Sequence, residues 1–224
     1  MAVGLGLGLN MAGGRGGGVV MPPLPVGAIE HYRLNQGITV TGAGVSQWDG
    51  AIGAHHLTMT TDANRPAKQP GGEIRFNGTT HRLNTGAWTQ AQPITVCMLM
   101  KQITHTVGDI IFDTVPRMLL YQSGVAPQLE LYAAGGFAAA NSNLTLDTYK
   151  GVICVFNGAS SLIHVEGSAP TTGNPGTGGI GQFFLGCDSG GTSQSNIEVK
   201  DIPIFDHALD ATERQAVFDY WAAL

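Results

Sequence analysis

Short apolar segments separated by glycine, proline, asparagine and serine recur along this chain from Ile29 to Phe205. Most of them have the length of a β-strand, whereas helices usually need longer periodic runs. The segment Ile94–Met100 is apolar throughout, which predicts a central strand that is buried on both faces. Ten or more such segments, with few helical ones between them, predict an all-β fold of the sandwich or barrel type.

The predicted strands include two pairs joined by Asn-Gly turns. Asn157-Gly158 lies between Tyr149–Phe156 and Leu162–Glu166, and Asn-Gly readily supplies the positive φ angles of a tight hairpin. Asn77-Gly78 predicts a second hairpin. The other predicted strands are His31–Leu34, Ile38–Val40, Leu57–Thr60, Glu73–Phe76, Asp109–Phe112, Met118–Tyr121, Leu129–Ala133, Phe183–Gly186 and Ile197–Phe205. Because Pro203 cannot donate a ladder hydrogen bond, the last of these is expected to be an edge strand or bulged.

A single helix is predicted at the C-terminus, over residues 211–223. Asp210 is a suitable N-cap, and Glu213 stands three residues later, as a capping box requires. One face of this helix is apolar and is expected to pack on the sandwich, and it comprises Val217, Tyr220, Trp221 and Leu224.

Residues 1–28 differ in composition from the rest, and residues 29–224 are predicted to form the folded domain. Eight of the first 18 residues are glycine, and three prolines between Pro22 and Pro25 favour an extended path. Alternating glycine and aliphatic residues place every aliphatic side chain on one side of an extended strip. We expect an assembly arm that docks on a neighbouring subunit through Val3, Leu5, Leu7, Leu9 and Arg15. The alternative is a disordered terminus.

Composition excludes several classes of function. Charged residues make up only 12% of the chain and the net charge is −5, so no basic patch for nucleic acid is predicted. No apolar run approaches the length of a transmembrane helix, and no membrane association is expected. The three cysteines, Cys97, Cys154 and Cys187, lack the spacing of a metal site and are expected to be buried thiols.

An ordered series of short motifs resembles the concanavalin A-like, laminin-G-like jelly-roll superfamily. The motifs are Trp48-Asp49-Gly50, His56-Leu57-Thr58, Arg65-Pro66, Ile74 to Gly78, Pro93 to Val96, Tyr149 to Gly158, Phe184-Leu185-Gly186 and Ala208 to Leu224. The resemblance covers roughly residues 29–224 and is carried by the order of the motifs. It implies an antiparallel two-sheet jelly-roll sandwich with Trp48 in its interior, preceded here by the extended N-terminal arm and ended by the one C-terminal helix.

Modules of this form with such a terminal helix are frequent in bacteriophage virion proteins and bacterial surface proteins. The resemblance, the low charge and the apolar arm together predict a non-enzymatic virion structural protein, either a capsid decoration protein or a tail-associated one. Its expected partners are other virion proteins and further copies of itself. The specific expectation for the latter is a homotrimer. Its expected location is the virion, after synthesis in the host cytoplasm.

The alternative is a lectin-like module that recognises host glycans. Aromatic rings pack on the C–H faces of sugars, and Trp88 lies in a segment of loop composition, which makes it the candidate contact for sugar or protein. Burial of Trp88 against the sheet is the competing expectation. Asp188-Ser189-Gly190-Gly191 could supply calcium with loop oxygens, but one acidic loop favours a simple turn.

No catalytic residue, metal ligand or cofactor is predicted. Glycosidases of this fold carry Glu-x-Asp-x-x-Glu on one strand, and neither Glu130 nor Glu198 has acidic partners at those spacings. The adjacent His55 and His56 would point to opposite faces of a strand and would not chelate one metal ion. The glycines near Gly178 lack the Lys-Ser/Thr of a phosphate loop. An enzyme would therefore need carboxylates that separate strands bring together.

Overall fold

The computed structural model describes residues 21–224, whose strands form two antiparallel sheets packed face to face. The first nine strands are β1 (Ala28–Tyr32), β2 (Ile38–Thr41), β3 (Gly44–Trp48), β4 (Leu57–Thr58), β5 (Ala67–Lys68), β6 (Ile74–Asn77), β7 (Leu83–Asn84), β8 (Ile94–Gln102) and β9 (Ile110–Thr114). The remaining elements are β10 (Leu119–Gln122), β11 (Leu129–Tyr132), β12 (Phe137–Asn141), β13 (Lys150–Phe156), β14 (Ser161–Val165), β15 (Thr171–Gly173), β16 (Phe183–Leu185), β17 (Asn196–Phe205) and the helix α1 (Ala211–Ala222).

One sheet has eight strands and the other has nine. The eight-stranded sheet runs in the order β15-β14-β13-β8-β17-β6-β5, with β1 also paired to β17. The nine-stranded sheet runs in the order β12-β11-β10-β9-β16-β7-β4-β3-β2. The predicted all-β class of two antiparallel sheets with one C-terminal helix is confirmed. As predicted, β8 is central and buried, because β13 and β17 flank it on its two sides.

The main core lies between the two sheets and contains large side chains from both. Trp48, Phe112 and Phe183 come from the nine-stranded sheet, and Phe76 and Phe156 come from the eight-stranded sheet; all five are fully buried. The predicted interior position of Trp48 is confirmed. The three cysteines are also buried and unpaired, as expected.

The chain departs from the sequence prediction at two turns. The Asn157-Gly158 hairpin forms, since β13 and β14 pair in antiparallel register. The predicted hairpin at Asn77-Gly78 does not, because β6 pairs within one sheet and the following β7 pairs with β16 in the other. Oδ1 of Asn77 accepts the backbone N–H groups of the next turn, at 2.9–3.0 Å, and so stabilises a crossover between sheets.

Pro203 lies in an interior strand, which corrects the expectation of an edge. Strand β17 pairs with β8 on one side and with β6 and β1 on the other. A bulge, which was the alternative expectation, is present: the register between β17 and β8 shifts between Val199 and Asp201. The bulge lies before Pro203 on the side of β8, and Pro203 itself stands opposite His31 of β1.

Helix α1 covers the outer face of the eight-stranded sheet. Its capping box forms as predicted: Oδ1 of Asp210 accepts the N–H of Glu213, and Oε2 of Glu213 accepts the N–H of Asp210, both at 2.9 Å. Val217, Tyr220 and Trp221 are buried as expected, and they share a second cluster with residues such as Phe205 and Leu99. Leu224 is 45% exposed, contrary to the prediction, because the helix ends before it. Among the described residues no helix has the length and apolar character to cross a membrane.

Candidate functional site

Three aromatic side chains meet on the outer face of the nine-stranded sheet. Leu120 of β10 and Leu131 of β11 belong to the core, so the next residues along these strands, Tyr121 and Tyr132, point outward. The register places Tyr132 directly opposite Phe137 of β12. The Phe137 ring centroid lies 4.6 Å from that of Tyr121 and 4.9 Å from that of Tyr132. We call Tyr121, Tyr132 and Phe137 the aromatic shelf.

The aromatic shelf borders an open cavity of about 330 Å³, whose lining also includes Leu119 and Arg117. Phe137 is 58% exposed, and it is the only aromatic residue among the large exposed apolar side chains of residues 21–224. Aromatic rings are usually buried because of their large apolar area, so a ring left at the mouth of a cavity is available to pack on a ligand.

Glu130 supplies an acceptor beside the shelf. It stands opposite Tyr121 in the register, and its Oε2 accepts the hydroxyls of Tyr121, at 2.5 Å, and Ser123, at 2.7 Å. Its Oε1 accepts no hydrogen bond from residues 21–224. Burial raises the pKa of Tyr121 to about 12, with a further contribution from the hydrogen bond to Glu130. The tyrosine hydroxyl is therefore protonated at neutral pH and holds the carboxylate in place.

Arg117 supplies a donor on the same cavity. Its side chain is half exposed, and its Nε lies 3.4 Å from Oδ2 of the fully buried Asp113. The same Oδ2 accepts the N–H of Ser189 at 3.0 Å. Burial raises the pKa of Asp113, while the bond from Ser189 and the charge of Arg117 oppose that rise. The carboxylate orients the guanidinium from behind and leaves its Nη atoms without a hydrogen bond among the described residues.

This arrangement combines an apolar surface of three rings, in which Phe137 is tilted by 46–48° to the two tyrosines, with polar groups at its border. Sites for small organic ligands have this composition, since apolar contact supplies affinity and a few fixed donors and acceptors supply specificity. The aromatic shelf can pack on the C–H face of a ring, while Arg117 and Glu130 can bind hydroxyl groups at its edge. Burial disfavours ionisation of the Tyr121 hydroxyl, whose proton is directed at Oε2 of Glu130.

The residues predicted from the sequence lie elsewhere. Trp88 is 8% exposed and stacks on His55, with ring centroids 4.4 Å apart, so it offers a ligand little surface. This agrees with the competing expectation of burial, and a contact role for Trp88 stays a prediction. The arm residues Val3, Leu5, Leu7, Leu9 and Arg15 lie outside the described residues, so their docking role stays a prediction. The last part of the predicted arm is described, and its Met21, Leu24 and Ala28 pack against the second apolar cluster of the same chain.

Other candidates are held in local contacts. Glu130 is on the nine-stranded sheet and Glu198 on the eight-stranded sheet, so they form no pair across strands. Nδ1 of His55 lies 2.9 Å from Glu30, whereas Nδ1 of His56 lies 3.2 Å from Asp49. Asp188 binds the N–H and hydroxyl of Thr192 at 2.6 Å, which is the expected turn. In the described part of the chain, no group of three acidic, histidine or cysteine side chains could hold a metal ion.

The aromatic shelf was not predicted from the sequence. Tyr121 and Tyr132 lie within predicted strands, each next to an inward-facing leucine. The alternation of inward and outward side chains along these strands was the signal that could have placed both tyrosines on the outer face. Phe137 starts a strand of small residues, Phe137–Asn141, which carries no run of β-branched side chains and was not predicted.

Comparison with solved structures gives several matches of the same fold. A Trypanosoma rangeli sialidase in complex with sialic acid matches 90% of this chain with a TM-score of 0.64 and 14% identity; the match spans 34% of the sialidase. Domain 4 of AbnA, an extracellular GH43 arabinanase from Geobacillus stearothermophilus in complex with arabinotriose, matches 84% of this chain and 96% of its own length, with a TM-score of 0.57 and 12% identity.

A GH54 α-L-arabinofuranosidase matches 80% of this chain and 51% of its own, with a TM-score of 0.59 and 13% identity. The match to the sialidases, by contrast, spans only about a third of their length. No family model matches the chain, and no curated protein matches its sequence. At these identities the likeness establishes the sandwich fold alone.

These findings contradict the leading prediction of a virion structural protein. The matched structures are carbohydrate-active proteins, and nothing in the comparisons links this chain to a bacteriophage. The prediction rested on the superfamily resemblance, the low charge and the glycine-leucine segment, and none of these features specifies a partner. Carbohydrate binding, the alternative, therefore becomes the proposal.

Proposed function

We propose that this chain is a carbohydrate-binding module whose ligand lies on the aromatic shelf. The observation that carries the proposal is the exposed ring of Phe137, which is continuous with the rings of Tyr121 and Tyr132 at the border of a cavity. Carbohydrates present flat patches of C–H groups ringed by hydroxyls. The aromatic shelf would pack on the C–H groups, and Arg117 and Glu130 would form hydrogen bonds with the hydroxyl groups.

The comparisons support the same class of ligand. Two of the matched structures contain a sugar, sialic acid in one and arabinotriose in the other. The arabinanase domain matches along nearly its whole length, so a sandwich of this size exists as a domain within a carbohydrate-active protein.

Substitutions at Phe137 test the proposal. Phe137→Leu keeps apolar area but removes the flat ring, and we expect a loss of about tenfold in affinity for the bound glycan, or ~1.4 kcal/mol. Phe137→Trp keeps a ring and is expected to retain binding. Val40→Ala is the control, because Val40 is 50% exposed on β2, at the opposite edge of the same sheet. Glycan-array screening followed by calorimetry measures the affinities.

Two outcomes would contradict the proposal. One is the absence of binding to any glycan by the folded chain. The other is an equal affinity of Phe137→Leu and the unsubstituted chain for the glycan found, because the ligand would then lie away from the aromatic shelf.

We further propose that the module binds without cleaving. In most glycosidase families a retaining enzyme has two carboxylates about 5 Å apart, and an inverting enzyme has them within about 10 Å. Beside the shelf, Glu130 is held by Tyr121 and Ser123, Asp113 is fully buried behind Arg117, and Asp188 is bound to Thr192. Incubation with the glycan identified above should release no reducing ends. Release that Glu130→Gln abolishes would show that the module is an enzyme.

A further inference from the structure

A second cavity, of about 260 Å³, lies beside the eight-stranded sheet, away from the aromatic shelf. Its walls come from the segment Met21–Leu24, from His31 and Arg33 at the start of the domain, and from Tyr220 of α1. Tyr32 belongs to the core between the sheets, so its neighbours His31 and Arg33 point to the outer face, where the helix packs.

A buried acid–imidazole pair forms one wall of this cavity. His31 is 3% exposed, and its Nε2 lies 2.9 and 3.1 Å from the two oxygens of the fully buried Asp201. Trp221 donates its indole N–H to Oδ2 of Asp201 at 2.9 Å. Because a carboxylate only accepts, Nε2 of His31 carries a proton, and Nδ1 is left without a partner among residues 21–224.

Two more polar groups line the cavity, the Tyr220 hydroxyl and the Arg33 guanidinium, and they lie side by side. Tyr220 is 4% exposed, and its hydroxyl has no closely aligned partner among residues 21–224. Burial and the nearby Asp201 raise the pKa of this hydroxyl, while the charge of Arg33 and a hydrogen bond from its side chain oppose the rise. Arg33 takes part in no ion pair among the described residues. Because Arg33 can only donate, the Tyr220 proton has no acceptor among the described residues, and a buried donor without an acceptor needs an explanation.

We propose that this cavity binds the carboxylate group of a small organic acid. A guanidinium binds a carboxylate with two parallel hydrogen bonds, and the Tyr220 hydroxyl can donate a third. The negative charge of Asp201 behind His31 disfavours a dianion such as phosphate. Pro22 and Pro23 have no N–H group, and with Met21 and Leu24 they form an apolar wall that suits the carbon skeleton of the acid.

Titration of the full chain with acetate tests the proposal. The indole N–H signal of Trp221 in NMR spectra reports on Asp201 and therefore on His31. We expect a saturable shift of this signal, with binding about tenfold weaker in Arg33→Gln and several-fold weaker in Tyr220→Phe. Lys68→Gln, on the edge strand β5 of the same sheet, is the control and should bind as the unsubstituted chain does.

Three results would overturn the proposal. The first is no saturable shift up to about 100 mM acetate, where even weak carboxylate binding would register. The second is unchanged binding in Arg33→Gln, which lies outside the helix and is expected to fold even if Tyr220→Phe does not. The third is inorganic phosphate binding as tightly as acetate. None of these results bears on glycan binding at the aromatic shelf.

Discussion

Glu198 joins three side chains on the outer face of the eight-stranded sheet. Its Oε2 accepts the Tyr149 hydroxyl at 2.9 Å and lies 2.9 Å from Nζ of Lys101, and its Oε1 lies 3.2 Å from Nη1 of Arg75. Burial alone would raise the pKa of Glu198, but the hydrogen bonds from Lys101, Tyr149 and Arg75 outweigh it and lower the pKa. The ionised form therefore stabilises the folded state.

We predict that Glu198→Gln lowers the free energy of unfolding by about 2 kcal/mol at neutral pH. The folded pKa lies below the unfolded one, so the contribution is complete above the unfolded value of 4.5 and is lost as pH falls through the folded pKa. Urea unfolding at neutral pH and near pH 2.5 measures this, and the difference between the two chains should shrink in acid.

Asp147→Asn provides the matched control for Glu198→Gln. Asp147 lies 3.1 Å from Nζ of the same Lys101, but its side chain is 72% exposed. An exposed ion pair contributes about 0–1 kcal/mol, so little change is expected. Equal losses in the two variants would mean that burial of Glu198 does not matter, contrary to the argument above.

Packing of the helix on the sheet depends on a glycine in β13. A Cβ atom at Gly151 would lie 2.7 Å from Cε3 of Trp221 and 2.9 Å from Cδ1 of Phe218. Both rings belong to the cluster beneath α1. The close approach of α1 and β13 therefore requires a residue without a side chain.

We predict that Gly151→Ala destabilises the chain by about 1–3 kcal/mol, because the extra methyl group forces the two rings and the helix outward. Gly86→Ala is the matched control, since a Cβ atom at Gly86 meets nothing within 4 Å. Thermal and urea unfolding of the two variants measures the effect. A loss no larger at Gly151 than at Gly86 would show that α1 can shift without cost.

The sequence predicts strands better than it predicts their partners. The apolar run of β8 and the capping box of α1 are local patterns, and both form where expected. The chain direction after Asn77-Gly78 depends on which sheet β7 joins, which no local pattern encodes. The aromatic shelf could not be predicted for the same reason, because Tyr121, Tyr132 and Phe137 become neighbours only through the pairing of three strands. A site built across strands is therefore harder to predict than one built along a strand.

The candidate binding sites of the chain lie on the two opposite outer faces of the sandwich. The outer face of the nine-stranded sheet carries the aromatic shelf, while that of the eight-stranded sheet carries α1, the Glu198 contacts and the cavity beside His31. Because the core between them is closed, a ligand on one face has no direct contact with the other. Binding on the aromatic shelf and carboxylate binding beside Tyr220 are therefore expected to be independent of one another.

Self-association is a separate property that the arm is predicted to control. Residues 21–224 contain two apolar clusters, one between the sheets and one beneath α1. The sequence predicts that the glycine-leucine strip docks on a second copy of the chain, where each buried leucine contributes about 1.5–3 kcal/mol before the cost of ordering glycine.

We predict that the full chain forms an oligomer, with a trimer as the specific expectation, and that deletion of residues 2–20 converts it to a monomer. Sedimentation velocity at several concentrations measures both masses. Replacing Leu5, Leu7 and Leu9 by serine is the matched variant, because it keeps the length of the strip and removes the apolar side chains. A full chain that sediments as a monomer contradicts the prediction, and an oligomer that survives the deletion places the contact within residues 21–224 instead.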